Sequence, residues 1–202
     1  MALHTTKAIV LRATPFQESQ TIVTLFSQNL GLVPMILRKA SAKRTFFSFA
    51  EPFCEAEFLL YEGTSEIVKF RDGSVITQNL SLREDLSRLQ TASSMVRALL
   101  RSQLPREASP DLYTLFSAFL RQIPLSSSLT TLHTFFYLKL LKHEGVYHPH
   151  YEEEHTGLFL PEEQKLLYTL MFCQNFKELH DKECSSSLLQ RVAELFYSKT
   201  GN

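Results

Sequence analysis

From residue 8 the chain runs in short apolar stretches separated by polar turns. Residues 8–12 (AIVLR) are brief and β-rich, and residues 21–26 (TIVTLF) and 32–37 (LVPMIL) follow. Between the last two lies Ser27-Gln28-Asn29-Leu30-Gly31, whose Asn29 and Gly31 suit a hairpin turn. In residues 53–61 (FCEAEFLLY), Glu55 and Glu57 fall on one face of a strand, and Cys54, Ala56 and Phe58 on the other. After the turn Glu62-Gly63-Thr64-Ser65, residues 66–70 (EIVKF) read as a fifth strand, closed by Arg71-Asp72-Gly73. Five short strands with no helix long enough for a crossover predict a small closed barrel. Closure also removes the open edges on which strands aggregate.

The period changes near residue 81. Ser81-Leu82-Arg83-Glu84 is a capping-box sequence, in which the serine takes a backbone N–H and the glutamate reaches back. From there Leu82, Leu86, Leu89, Met95, Ala98, Leu99 and Leu100 recur at helical spacing until Pro105. Ser109-Pro110-Asp111 opens a second helix, with Leu112, Leu115, Phe116, Phe119 and Leu120 as its apolar stripe and Pro124 as its stop. Ser128 leads into a third helix ending at Gly145, Pro161-Glu162-Glu163 opens a fourth, and residues 186–198 form a fifth. The fold class is therefore α+β: a β-barrel domain over residues 1–80 and an all-α helical domain over residues 81–202.

Composition narrows the function classes. The 202 residues carry 21 basic and 21 acidic side chains, so net charge does not advertise a nucleic-acid partner and any such role must rest on local patches. No apolar run approaches the roughly 18 residues of a membrane span, and the start lacks a signal-peptide pattern. Three widely spaced cysteines, Cys54, Cys173 and Cys184, fit a reducing compartment rather than a disulfide framework, and none has CxxC spacing. A cytoplasmic protein without membrane association is expected.

One local patch stands out. No acidic residue occurs between Glu18 and Glu51, yet Arg38, Lys39, Lys43 and Arg44 fall in this interval, followed by Phe46, Phe47 and Phe49. Cations that track phosphates, with aromatic faces for bases, are what a single-stranded nucleic acid needs. The four charges are the candidates for phosphate contact, while Phe47 and Phe49 are expected to anchor the loop on the barrel. Arg97 and Arg101, four apart, form a second candidate patch on the first helix, with Arg88 and Arg106 towards its ends. Lys139 and Lys142 flank the apolar helix 136–141. His143, His148, His150 and His155, with Glu152, Glu153 and Glu154, offer metal-type ligands, but without companion cysteines they read as a polar loop, and no metal site is assigned. No nucleophile elbow, phosphate-cradling glycine loop or zincin motif occurs, so no catalytic residue and no cofactor are assigned.

The ordered set AIVLR, PFQES, TIVTLFSQNLG, a strand running into a basic loop, and Glu51-Pro52-Phe53 resembles the RecO family of bacterial recombination mediators. In the second half, Phe136, Leu138, Leu140, Leu141, Gly145 and Pro149 stand where that family has its leucine-rich helix end. The resemblance covers roughly residues 6 to 150. Two departures accompany it. Leu37-Arg38-Lys39 replaces the family's common Ala-Lys-Gly, and the histidine-rich segment stands where many members carry a four-cysteine zinc module.

The resemblance implies an OB-fold barrel and a non-enzymatic role in DNA repair. It implies binding of single- and double-stranded DNA, annealing of complementary strands, and recombinase loading with RecR and single-stranded DNA-binding protein, associated with the bacterial nucleoid. It further implies recognition of the acidic, phenylalanine-ended tail of that protein, for which Lys139 and Lys142 are the candidates. Two other classes remain open at this point: a protein-interaction adaptor that does not touch DNA, and a metal-dependent enzyme using the histidine loop.

Overall fold

A computed structural model describes residues 2–38, 48–147 and 158–200. They divide into two compact units: Met1–Leu80 with Gln103–Leu120, and Ser81–Ser102 with Arg121–Asn202. The chain thus passes between units near residue 80 and again on either side of Gln103–Leu120.

The first unit is built on five strands, β1 (Ala2–Gln17), β2 (Gln20–Ser27), β3 (Gly31–Arg38), β4 (Glu55–Glu62) and β5 (Val68–Thr77). They close in the order β1-β2-β3-β5-β4, all antiparallel except the short parallel β3–β5 seam at Met35↔Val68 and Ile36↔Lys69. This is the OB-fold arrangement expected from the sequence. Pro34 is tolerated because the seam with β5 begins one residue later, so no partner on that side needs its missing N–H. Alternate residues point inward, giving a core of Val23, Leu25, Val33, Met35, Phe58, Leu60 and Val68. Phe49 joins that core, with its ring 4.9 Å from Phe70 and 5.6 Å from Phe58, as expected of an anchor.

Turn chemistry sets the registers. Ser27 pairs with Gly31, and Ser27 Oγ accepts the backbone N–H groups of Asn29 (3.3 Å) and Leu30 (3.1 Å). Gly31 has φ +66°, and a Cβ there would lie 2.1 Å from the Glu107 carbonyl oxygen, so only glycine fits. At Arg71-Asp72-Gly73 the expectation of a strand end is corrected. The register steps from Leu60↔Phe70 to Leu59↔Asp72, leaving Arg71 in a bulge, and β5 continues to Thr77. Gly73 allows this because a Cβ would meet the Phe49 ring at 2.9 Å.

The first unit also takes in most of a helix, α2 (Pro110–Gln122), whose Leu112, Tyr113, Phe116, Ser117, Phe119 and Leu120 are buried. Phe26 on the outside of β2 lies 6.1 Å from Tyr113 and 6.3 Å from Phe116, centroid to centroid. Beneath the same helix Glu55 is only 4 % exposed; Tyr113 donates to its Oε1 (2.9 Å) and Ser117 to both oxygens (3.1 and 3.0 Å). Glu55 and Glu57 share the outward side of β4, as the alternation predicts, but only Glu57 is exposed. The reason is tertiary, since a helix more than fifty residues later supplies the cover.

The second unit contains α1 (Leu86–Ser102), α3 (Leu129–His143), α4 (Pro161–Phe172) and α5 (Ser186–Lys199). The Ser81 capping box does not start α1. Residues 80–83 form a 3-10 turn, and Asp85 caps the helix by accepting the Arg88 N–H at 3.0 Å. Leu86 is accordingly exposed, and the buried stripe runs through Ala92, Met95, Val96, Ala98 and Leu99. α3 is buried on almost every side, as an all-round apolar helix must be. Ser128 caps its start, and its end closes as a Schellman motif with Gly145 at φ +66°, Gly145 N–H donating to the Lys142 carbonyl and Val146 N–H to that of Leu141.

Candidate nucleic-acid interface

The barrel has a second outer side that α2 does not cover. Strand parity lays it out row by row. Gln20 pairs with Arg38; Thr14 pairs with Ile22, Ile22 with Ile36, Ile36 with Lys69, and Lys69 with Tyr61; Arg12 pairs with Thr24 and Thr24 with Pro34. Following β2 and β3 outward from the helix, Phe26 and Leu32 are buried, Thr24, Pro34, Ile22 and Ile36 are half-buried, and Arg38 is exposed. Arg12, Lys69 and Arg71 are exposed as well, and the Arg71 guanidinium sits 5.1 Å above the half-buried Tyr61 ring. Among the described residues Arg12, Arg38 and Lys69 form no ion pair. Further along β4 and β5 the same side carries the exposed acids Glu57 and Asp72, while Arg38, Lys69 and Arg71 lie towards the end where β3 finishes.

That end offers exposed cations, an aromatic ring and half-buried aliphatic side chains on a regular sheet. Such a surface holds phosphates without reading sequence and presents flat apolar ground to bases. Sequence reasoning reached Arg38 but missed Arg12, Lys69, Arg71 and Tyr61. Lys69 and Tyr61 were readable from strand alternation, as neighbours of the inward Phe70 and Leu60. Arg12 and Arg71 were not, because each follows or occupies a bulge that resets parity. Lys39, Lys43 and Arg44, with Phe46 and Phe47, lie outside the described residues; β3 ends at Arg38, where that segment begins.

In the helical unit Arg97 and Arg101 are both exposed on α1. Arg97 lines an open groove with Ser87, Gln90, Ser94, Thr130 and His133. His133 is 9 % exposed, its ring stacked on Tyr137 at 4.8 Å, and its buried Nε2 has no hydrogen-bond partner. Burial, helped by the Arg97 charge, lowers its pKa to about 4, so the imidazole is neutral at pH 7.

The other two arginines grouped with this patch are engaged elsewhere. Arg88 donates to the Ser81 carbonyl (3.4 Å) and lies 3.7 Å from Glu84. Arg106 stands beyond the helix at φ +66°, in the barrel unit, and its guanidinium bonds Glu62 Oε1 (2.8 Å) and the Glu66 carbonyl (2.7 Å).

Lys139 and Lys142 prove unlike. The Lys139 ammonium donates to the carbonyls of Met171 (3.0 Å) and Cys173 (2.7 Å), closing the C-terminus of α4, and burial lowers its pKa. Lys142 is exposed, with its ammonium 4.3 Å over the Phe172 ring. His143 is exposed at the end of α3, while His148, His150, His155 and Glu152 to Glu154 lie outside the described residues. Among the described residues no three histidine, cysteine or acidic side chains converge as a metal site would require. No helix among them is long and apolar enough to cross a membrane.

The chain is similar to known proteins along most of its length. A family model for the recombination protein O N-terminal domain matches residues 1–79, and one for the recombination protein O C-terminal domain matches residues 83–196. The chain is 28 % identical over 139 residues to a DNA repair protein RecO of Chlamydia pneumoniae, covering 68 % of this chain and 55 % of that protein. It is 24 % identical over 197 residues to the protein of that name from Chlamydia muridarum, covering 85 % of this chain and 84 % of that one. A Synechococcus elongatus protein of the same name is 30 % identical over 130 residues, 64 % of this chain and 48 % of its own length. The chain thus spans little more than half the length of the Chlamydia pneumoniae relative.

Proposed function

This chain belongs to the recombination protein O (RecO) family, and on that premise we propose that it is a non-catalytic DNA-binding protein of repair and recombination. The observation that carries the reading is the outer side of the barrel that α2 does not cover, where Arg12, Arg38, Lys69 and Arg71 are exposed and the Arg71 guanidinium lies over Tyr61. Single- and double-stranded DNA bind there through phosphate contacts, and Lys39, Lys43 and Arg44, which follow Arg38 in the sequence, add further phosphate contacts. Arg97 and Arg101 serve as a second, weaker contact. Annealing then needs no bond chemistry. Cations screen the repulsion between two strands, and sequence-blind contacts let them shift register until they pair.

The finer assignments rest on family membership. The protein works with RecR and with single-stranded DNA-binding protein to load recombinase, at the bacterial nucleoid. The acidic tail of single-stranded DNA-binding protein meets Lys142, whose ammonium is exposed, rather than Lys139, whose ammonium is engaged by helix α4.

The test is a salt titration of oligonucleotide binding by fluorescence anisotropy. Replacing Arg38, Lys69 and Arg71 together by Ala should weaken binding and make the slope of log K against log salt shallower by about 2 for single strands, roughly 0.7 per lost contact. Unchanged affinity and slope would remove this end of the barrel as the interface. If the unaltered protein binds no bare DNA while it still binds RecR, the adaptor reading replaces the DNA-binding one.

A further inference from the structure

We propose that Phe16, at the tip of the β1–β2 hairpin, is a stacking platform for unpaired nucleobases; the inference rests on the DNA-binding reading above. The hairpin is closed by Glu18 and Ser19, with Gln17 paired to Gln20 and Pro15 to Thr21. Phe16 is the residue left over between those two pairs, a β-bulge. Bulges bend a strand and re-aim a side chain, and they persist where that direction is used. The tip is braced on both sides of Phe16. The preceding Pro15 has its φ fixed by its ring, and the Gln20 amide donates to the Gln17 side-chain oxygen at 2.8 Å.

Phe16 is 55 % exposed, whereas Phe26, Phe49, Phe53 and Phe58 of the same unit are all buried. Among the described residues it makes no contact with another aromatic ring. A single exposed apolar side chain is ordinary by itself. Position distinguishes this one. Gln20, in the hairpin's last pair, is also the register partner of Arg38, the exposed cation from which the basic segment departs. The exposed ring on this braced tip thus lies across β2 from the exposed cation Arg38. Because OB-folds commonly use this hairpin loop against oligonucleotides, the ring is placed where a strand held by Arg38 would pass. Stacking needs an open base face, which a single strand offers and an intact duplex does not, so Phe16 would favour single strands.

The sequence contains no tryptophan, so Phe16→Trp gives a unique fluorophore at the tip. Titrating this variant with a thymidine oligonucleotide should change the indole fluorescence sharply, and its affinity should match or exceed that of the unaltered protein. Phe16→Ala and Phe16→Leu should each lose roughly 5- to 100-fold in single-strand affinity at an unchanged salt slope, because no phosphate contact is lost. Their binding to a blunt duplex should be unaltered.

The proposal is overturned if Phe16→Ala binds the oligonucleotide as the unaltered protein does, or if Phe16→Leu keeps full affinity. It is equally overturned if the indole fluorescence of the Phe16→Trp variant does not respond at saturating oligonucleotide. These failures leave the DNA-binding reading intact. If the unaltered protein binds no DNA, that reading and the role of Phe16 fall together.

Discussion

The same strands build two outer sides of one barrel, and the two sides carry opposite chemistry. β2 contributes Phe26 to one and Ile22 to the other; β4 contributes Glu55 to one and Tyr61 to the other. On the first side α2 lies over the sheet. Phe26 meets Tyr113 and Phe116, and the carboxylate of Glu55 is satisfied by two hydroxyls in place of water. On the second side nothing in the described unit covers the sheet, and Arg12, Arg38, Lys69 and Arg71 are exposed, with Arg71 over the Tyr61 ring. Local pattern alone would make both sides solvated. Cover decides which polar groups become structural and which stay available to a ligand.

The comparison can be broken first on its covered side. Phe116 is 0 % exposed, and Phe116→Ala should cost about 3–5 kcal/mol in denaturant unfolding. DNA affinity of the folded fraction and its salt slope should not change, since that residue lies away from the cations. A changed slope would mean the two sides are not independent.

Acid offers the next largest effect, through a buried polar group that lacks the partners Glu55 enjoys. The folded pKa of His133 is about 4, below the ordinary value of 6.5, so as pH falls the unfolded chain takes up the proton first. The stabilisation is complete above pH 6.5 and is lost progressively down to about pH 4, amounting to about 3 kcal/mol. Comparing the pH dependence of unfolding in the unaltered protein and His133→Gln isolates this term from the carboxylates. Parallel curves across that window would contradict the burial argument.

Glu55→Ala should cost less, about 1–3 kcal/mol, by stranding the hydroxyls of Tyr113 and Ser117 under α2. Restoring part of the loss with Tyr113→Phe and Ser117→Ala in the same chain would identify unpaired hydroxyls as its source. The open side should respond least in stability. Replacing Arg38, Lys69 and Arg71 by Ala should shift unfolding by less than about 1 kcal/mol, mainly the contact of Arg71 with Tyr61, while DNA binding weakens.

Much of this was legible in sequence, and the misses share a cause. Short apolar stretches between turn residues located all five strands, and Asn29 with Gly31 located the β2–β3 turn, because those signals are local. The strand end expected at Arg71-Asp72-Gly73 failed because a bulge and the Phe49 ring, not a turn, explain that sequence. The cover over Glu55 was not legible, because Tyr113 lies 58 residues from it and leaves no local trace there. The cap at Ser81 failed for a subtler reason, since Asp85 supplies a competing cap four residues on. For the interface, the sequence drew attention to a run of charge in one segment. The cations of the sheet, spread over β1, β3 and β5, come together only through closure of the barrel.

The central claim is that DNA occupies the uncovered end of the barrel. It is tested most directly by a lysine-acetylation footprint, read by mass spectrometry with and without saturating single-stranded oligonucleotide. Lys69 should be strongly protected, while Lys165 and Lys177, exposed in the helical unit, should react as before. Equal reactivity of Lys69 in the two samples, under conditions where the oligonucleotide is bound, would contradict the account.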